Sequence, residues 1–193
     1  MKYSNDASGF VILSEYVPDI IEEVRYHTTY NFIGDKIDGY DDPIILVVLE
    51  AALALQKANE EAKKLGYAFK VYDAYRPQTA VDHFVRWAKD INDTRMKEIF
   101  YPETKKEELF EKGFIASKSG HTRGSSIDLT LFNLKTGKEV DVFTSADFTA
   151  DMTDNYDAIA FGCPSMGDEV LEETEFEPMF NECKNKLSGK KIA

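Results

Sequence analysis

Two short clusters in this chain combine residues that could do chemistry. The first is Ser119-Gly120-His121-Thr122-Arg123-Gly124-Ser125-Ser126-Ile127-Asp128. An imidazole and a carboxylate from one loop form an ordinary zinc ligand pair. Gly120 and Gly124 let the backbone turn closely around His121. Asp128 falls in an apolar run with Ile127, Leu129 and Leu131. A carboxylate there is costly unless it is paired or bound to a cation. A capped turn followed by a strand with a hydrogen-bonded aspartate fits the same residues. The second cluster is Tyr72-Asp73-Ala74-Tyr75-Arg76-Pro77. An arginine fixed at a strand-to-helix junction by the following proline can point its fork at a carboxylate or a developing oxyanion. It can equally pair with Asp73 and simply hold the junction.

The elements around these clusters are legible in outline. Val11-Ile12-Leu13 reads as a strand. Asn31-Phe32-Ile33-Gly34 and Asp38-Gly39-Tyr40 read as turns. Pro43 is suited to a first helical turn, so a helix is expected from there to Lys64. Leu46, Leu49, Leu53 and Leu55 would supply its apolar residues and Gly66 its stop. Tyr67 to Tyr72 alternates and is rich in aromatic and β-branched residues, as strands are. Arg76-Pro77 opens a further helix carrying Ala80, Phe84, Val85, Trp87 and Ala88. Residues 92–105 read as irregular and Glu107 to Glu111 as one helical turn. Ser126 to Phe132 reads as a strand. Val140-Asp141-Val142-Phe143 and Ala158-Ile159-Ala160-Phe161 read as two more, both buried.

Bulk properties narrow the function. The chain has 193 residues, 43% hydrophobic and 30% charged, which is the composition of a globular protein. No apolar run is long enough to span a bilayer. The N-terminus lacks the basic and apolar blocks of a signal peptide, so a cytoplasmic location is expected, with no membrane partner. Two cysteines, Cys163 and Cys183, make no disulfide framework. A net charge of -12 disfavours nucleic acid, whose phosphates would be repelled. Between Lys138 and Lys184 there is no basic residue at all. Such a break in composition suggests a boundary.

Taken together, the two clusters resemble the zinc D-alanyl-D-alanine dipeptidases of the vancomycin-resistance type. The agreement runs through Asn31-Phe32-Ile33-Gly34, Asp38-Gly39-Tyr40, Tyr101-Pro102 and Gly113-Phe114-Ile115-Ala116-Ser117-Lys118-Ser119, over about residues 10–138. The resemblance implies an α+β fold of the D,D-peptidase type, a small, mostly antiparallel sheet with packed helices. It implies one zinc ion and a small dipeptide substrate, D-Ala-D-Ala. His121 and Asp128 match two zinc ligands. Arg76 matches the arginine that stabilises the tetrahedral intermediate. Ser119 matches a residue lining the substrate pocket, and Asp73 one that supports the arginine. His83 and His27 have no counterpart role and are read as surface or partly packed residues.

The chain departs from the family late. The third zinc ligand and the general base come from a Glu-Trp-Trp-His segment in the family. Here Trp87 is the only tryptophan and His121 the last histidine. The zinc site is therefore expected to be incomplete and activity impaired, unless His83, Glu169 or Glu172 substitutes. Asp147 falls where the family binds the substrate ammonium, among residues that do not match. Beyond Gly137 the chain resembles the middle of a clostridial-type flavodoxin, through Asn155 to Phe180 and Leu187 to Ala193. It would be an incomplete α/β flavodoxin-like fragment, without the phosphate loop, so FMN is not expected. The implied organisation is a truncated dipeptidase-like domain over 1–139 and an incomplete flavodoxin-like fragment over 140–193. A catalytically inactive fusion remnant and a flavin-binding protein are the alternatives to a zinc peptidase.

Overall fold

A computed structural model of the chain describes residues 9–162 and 174–192. Glu169, Glu172 and the Cys163-Pro164-Ser165-Met166-Gly167-Asp168-Glu169 segment lie outside the described residues, as does the extreme N-terminus. The chain divides into two compact units, Met1–Val140 and Asp141–Ala193.

The first unit begins with strand β1 (Phe10–Ile12), the single turn α1 (Leu13–Tyr16) and strand β2 (Ile21–Glu22). Strand β3 (Leu46–Val48) runs directly into helix α2 (Leu49–Lys64). Then come β4 (Tyr67–Asp73), α3 (Gln78–Lys89), the turn α4 (Lys97–Phe100), β5 (Asp128–Asn133) and β6 (Lys138–Glu139). The main sheet has the order β2-β4-β5-β6. Its β2–β4 pair is parallel, and its β4–β5 and β5–β6 pairs are antiparallel. β1 and β3 form a separate antiparallel pair. The α+β architecture with a small, mostly antiparallel sheet is the one the sequence implied.

One expected helix start is wrong. Residues after Pro43 are extended, and the helix begins only at Leu49. The run Ile44-Ile45-Leu46-Val47-Val48 is β-branched except at Leu46, and Leu46–Val48 find a partner in β1, so pairing wins over the proline signal. The buried stripe of α2 also differs from the expected leucines. It is Ala52, Leu55, Asn59 and Ala62, at helical spacing, while Leu53 is exposed. Small residues let the helix lie close on β4, where Asn59 Oδ1 accepts from the Phe69 N–H at 2.9 Å. Gly66 ends α2 at φ +90°, as its position suggested.

Helix α3 follows Pro77, whose missing N–H is no loss at a helix start. It buries Ala80, Val81, Phe84, Trp87 and Ala88. Phe84 and Trp87 meet Phe32, and Phe84 also meets Tyr26, with ring centroids 4.9–5.3 Å apart. Each fully buried large apolar side chain of this kind contributes about 1.5–3 kcal/mol. That aromatic cluster holds the middle and last turn of α3, and Arg76 at the junction lies over its Tyr26 and Phe84 rings.

In the second unit, strand β7 (Ala158–Ile159) pairs in parallel with β8 (Lys191–Ile192), and helix α5 (Phe176–Cys183) lies between them in sequence. A parallel pair needs such a crossover. The expected strand over Val140–Phe143 does not form, and Val142 is 79% exposed. Val140 still donates its N–H to the Leu131 carbonyl of β5 at 3.0 Å, but among the described residues Asp141–Phe143 have no strand partner, so alternation alone does not make an element there.

Candidate functional site

The site grows out of one β4–β5 contact. Asp73 ends β4 and Asp128 starts β5, and the two are paired across an irregularity in the register. The loop between Ser119 and Gly124 supplies the third group. Ser119 caps a 3-10 turn over Gly120–Arg123, its Oγ accepting from the His121 N–H at 3.2 Å. The His121 carbonyl then accepts from the backbone N–H groups of Arg76 at 3.3 Å and Gly124 at 2.9 Å. These bonds clamp the loop onto the end of β4.

Side chains follow from that backbone. His121 Nδ1 lies 2.9 Å from the Ala74 carbonyl. A carbonyl only accepts, so Nδ1 carries the proton and Nε2 is directed elsewhere. Nε2 stands 3.4 Å from Asp128 Oδ1. Arg76 grips Asp73 Oδ2 through Nε at 2.9 Å and Nη2 at 2.8 Å, and reaches Asp128 Oδ2 at 3.2 Å. Tyr40 donates to Asp73 Oδ1 at 2.7 Å. Both readings of Arg76 are thus partly met, since it pairs with Asp73 and also faces the second carboxylate.

The electrostatics are coupled. Burial pushes the Asp73 carboxyl above its ordinary value, against the pull of Arg76, Tyr40 and His121. Burial also raises Asp128, but His121 and Arg76 outweigh it and hold that carboxyl low. Asp128 raises His121, against burial and the Arg76 charge. Burial pushes the Tyr26 hydroxyl up to about 12. Asp128 itself is half-exposed at the start of β5, not enclosed in an apolar strand as its sequence neighbours suggested.

These donors can be tested against a metal. Zinc bonds of about 2.0–2.2 Å at a tetrahedral angle set an imidazole nitrogen and a carboxylate oxygen about 3.4 Å apart. The Nε2–Oδ1 pair has that spacing. The Ala74 carbonyl on the far nitrogen is the usual outer support of a metal-bound histidine. Asp73 completes a group of three whose ligand atoms all lie within 4.8 Å of one another. Its two oxygens are already held by Arg76 and Tyr40, so His121 and Asp128 are the pair that fits. Among the described residues, no other such group occurs.

Asp73 and Asp128 open onto a cleft of about 240 Å³ that Arg25, Tyr26, Phe32 and Tyr72 also line. Arg76 and His121 do not line it themselves; each contacts Asp128, which does. Ser119 is placed at the cap of the turn and not on the cleft wall. His83 accepts from the Asp38 backbone N–H, and His27 lies against the Tyr40 carbonyl, so both have structural partners. Asp147 lies in the second unit, where it accepts from Thr144.

Tyr40 was missed as a site residue. Its segment, Asp38-Gly39-Tyr40, was legible as a turn and as part of the family resemblance but not as a support of Asp73, because a contact with a residue 33 positions away leaves no local signal. Tyr40→Phe is expected to cost about 1.5–3 kcal/mol, the usual worth of a hydrogen bond to a charged group. The shift of the urea unfolding midpoint, at unchanged slope, measures it.

Comparison with known proteins agrees with this geometry. A family model described as D-ala-D-ala dipeptidase matches residues 6–158. The chain is 43% identical over 141 residues to a D-alanyl-D-alanine dipeptidase of Enterococcus faecalis, covering 73% of this chain and 70% of that one. It is 41% identical over 140 residues to one from Enterococcus faecium, covering 72% and 69%. A separate, smaller segment is 47% identical over 60 residues to a flavodoxin of Clostridium beijerinckii, covering 31% of this chain and 44% of the flavodoxin. The matching family model spans the His121–Asp128 pair and the Arg76 junction, and on that ground the chain belongs to the D-Ala-D-Ala dipeptidase family of zinc metallopeptidases.

Proposed function

We propose that this chain holds one zinc ion through His121 and Asp128 and acts on the dipeptide D-Ala-D-Ala, slowly. The observation that carries the reading is the Nε2–Oδ1 separation of 3.4 Å, with the opposite imidazole nitrogen pinned to Ala74. When bound, zinc supplies a water whose pKa falls to about 7 and polarises the scissile carbonyl. With its ring proton on Nδ1 against the Ala74 carbonyl, His121 would offer the Nε2 lone pair. Asp128 offers Oδ1 and keeps Oδ2 on Arg76. Arg76 is assigned to the negative charge that develops on the carbonyl oxygen, where a guanidinium is worth most in a partly dry site. Asp73 holds Arg76 in that direction, and Ser119, off the cleft wall, is assigned to holding the His121 turn beside the substrate.

Activity is low in this reading because the sequence has no counterpart of the late Glu-Trp-Trp-His segment. Loss of a general base alone costs about 10²–10⁴ in rate. A catalytically inactive remnant is the second reading. It is favoured by Asp73, whose oxygens both already accept hydrogen bonds, from Tyr40 and Arg76, and so compete poorly as a third metal donor. Flavin binding is the weakest reading, since no phosphate loop is recognisable in the sequence. We further propose residues 1–139 as the dipeptidase domain, 140–193 as an incomplete flavodoxin-like fragment, and the cytoplasm as the location. Among the described residues no helix is long and apolar enough to cross a membrane.

Hydrolysis of D-Ala-D-Ala by the purified chain, titrated with zinc, tests the proposal. Alanine release should rise with zinc and vanish in His121→Ala. Release that ignores zinc, or survives the substitution, contradicts it. No release from a chain that still takes up zinc establishes the remnant reading instead.

A further inference from the structure

The cleft beside Asp128 holds an arginine that the reaction above does not use. Arg25 lies in a 3-10 turn (Arg25–His27) just after β2. That turn is fixed by Asn31, which is 1% exposed and whose Nδ2 donates to the carbonyls of Thr28 and Asp35 at 2.8 Å and of Arg25 at 3.4 Å. The guanidinium itself is held on two sides. Its carbon sits 3.9 Å from the centroid of the Tyr72 ring, with Tyr30 and Phe100 at 5.9 and 6.0 Å. Its Nε donates to Glu23 at 3.0 Å, and Glu23 is in turn anchored by Lys70 of β4.

Everything about this residue is fixed except its working end. Among the described residues, neither terminal Nη group has a hydrogen-bond partner, and Arg25 is the one cation lining the cleft. A stacked, Nε-anchored guanidinium with both Nη groups free is a pre-organised carboxylate fork. Pre-organisation matters because an arginine that must first be immobilised loses affinity in doing so. The cleft is therefore dipolar, with Asp73 and Asp128 as its acids and Arg25 as its base. Its volume of about 240 Å³ suits a molecule of dipeptide size. A dipeptide spans at most about 7 Å, which bounds how far its terminal carboxylate can lie from the scissile bond.

We infer that Arg25 recognises the free C-terminal carboxylate of the dipeptide, so that the cleft selects an unblocked substrate. The inference rests on the dipeptidase reading, since that reading brings a dipeptide to the cleft. It assigns Arg25 to specificity and not to bond cleavage.

The test is an NMR titration of the full zinc-loaded chain with D-Ala-D-Ala and with D-alanyl-D-alaninamide, which lacks the negative charge. The wild-type chain should bind the acid at least about tenfold more tightly than the amide, the worth of a charge-assisted hydrogen bond. Arg25→Met should bind both alike. Arg25→Lys keeps the charge without the fork and should fall between them. A purely structural role for Arg25 would weaken both ligands together and leave their ratio unchanged, which would overturn the inference. Equal binding of acid and amide by the wild type overturns it too, with no variant needed, while leaving a peptide-binding cleft intact. If neither peptide binds at about 10 mM, the inference and the dipeptidase reading fall together.

Discussion

Gly124→Ala should lower the melting temperature of this chain by about 10 °C and loosen the loop that carries His121. Gly124 has φ +73°, a conformation that costs an alanine about 1–3 kcal/mol. A Cβ there would also lie 2.2 Å from Phe10 Cε1 and 2.9 Å from Cζ. Phe10 cannot easily yield. It sits in β1, paired with Val48, and its ring packs edge-on against Tyr75 at 4.8 Å. Overpacking of this kind adds about 1–3 kcal/mol. For a chain of this length each kcal/mol is worth about 2–4 °C. The Gly124 carbonyl accepts from Val48 and its N–H donates to His121, so the disturbance reaches the proposed metal ligand directly. Pairing Gly124→Ala with Phe10→Ala separates the two causes. The double substitution should recover the steric part and leave the backbone part. If Gly124→Ala melts within about 2 °C of the parent, the tight approach of β1 to this loop is refuted.

Asp73→Ala should be the most damaging single change inside the site, at about 3–5 kcal/mol. Asp73 is 3% exposed, accepts hydrogen bonds from Arg76 Nε and the Tyr40 hydroxyl, and has Arg76 Nη2 in ion-pair contact at 2.8 Å. Removing it leaves a guanidinium over the Tyr26 and Phe84 rings with only the half-exposed Asp128 as counter-charge. It also strands a buried phenol. Asp73→Asn keeps an acceptor for Tyr40 and should cost less. Denaturant unfolding of both variants measures the difference. Equal losses would mean that the charge of Asp73 contributes nothing and that shape alone matters.

Local chemistry was readable from the sequence, and long-range pairing was not. Pro77 announced the start of α3, Gly66 the end of α2, and the glycines around His121 a tight turn. Each of these is a backbone constraint carried by the residue itself. Asp73 and Arg76 were readable as a pair because three residues separate them. β3 was not readable, because Leu46–Val48 becomes a strand only when Phe10–Ile12 arrives from far away in sequence. Val140–Phe143 differs for the converse reason, since its alternation is present but, among the described residues, only Val140 finds a partner, on β5. Tyr40 was invisible as a support of Asp73, and Arg25 as part of the cleft, because both act through contacts that the fold alone creates. The burial of Asp128 was overestimated from its apolar neighbours. It begins its strand, where the backbone still opens toward solvent.

The account rests on His121 and Asp128 sharing a cation. Zinc K-edge absorption of the full chain with one equivalent of zinc tests this directly. The expected spectrum has nitrogen and oxygen neighbours at about 2.0–2.2 Å, including the outer-shell pattern of one imidazole, and this pattern disappears in His121→Ala. A sulfur shell at about 2.3 Å, or a spectrum unchanged by the substitution, would place the metal elsewhere, on Cys163 or Cys183 or on surface acids, and would contradict the assignment.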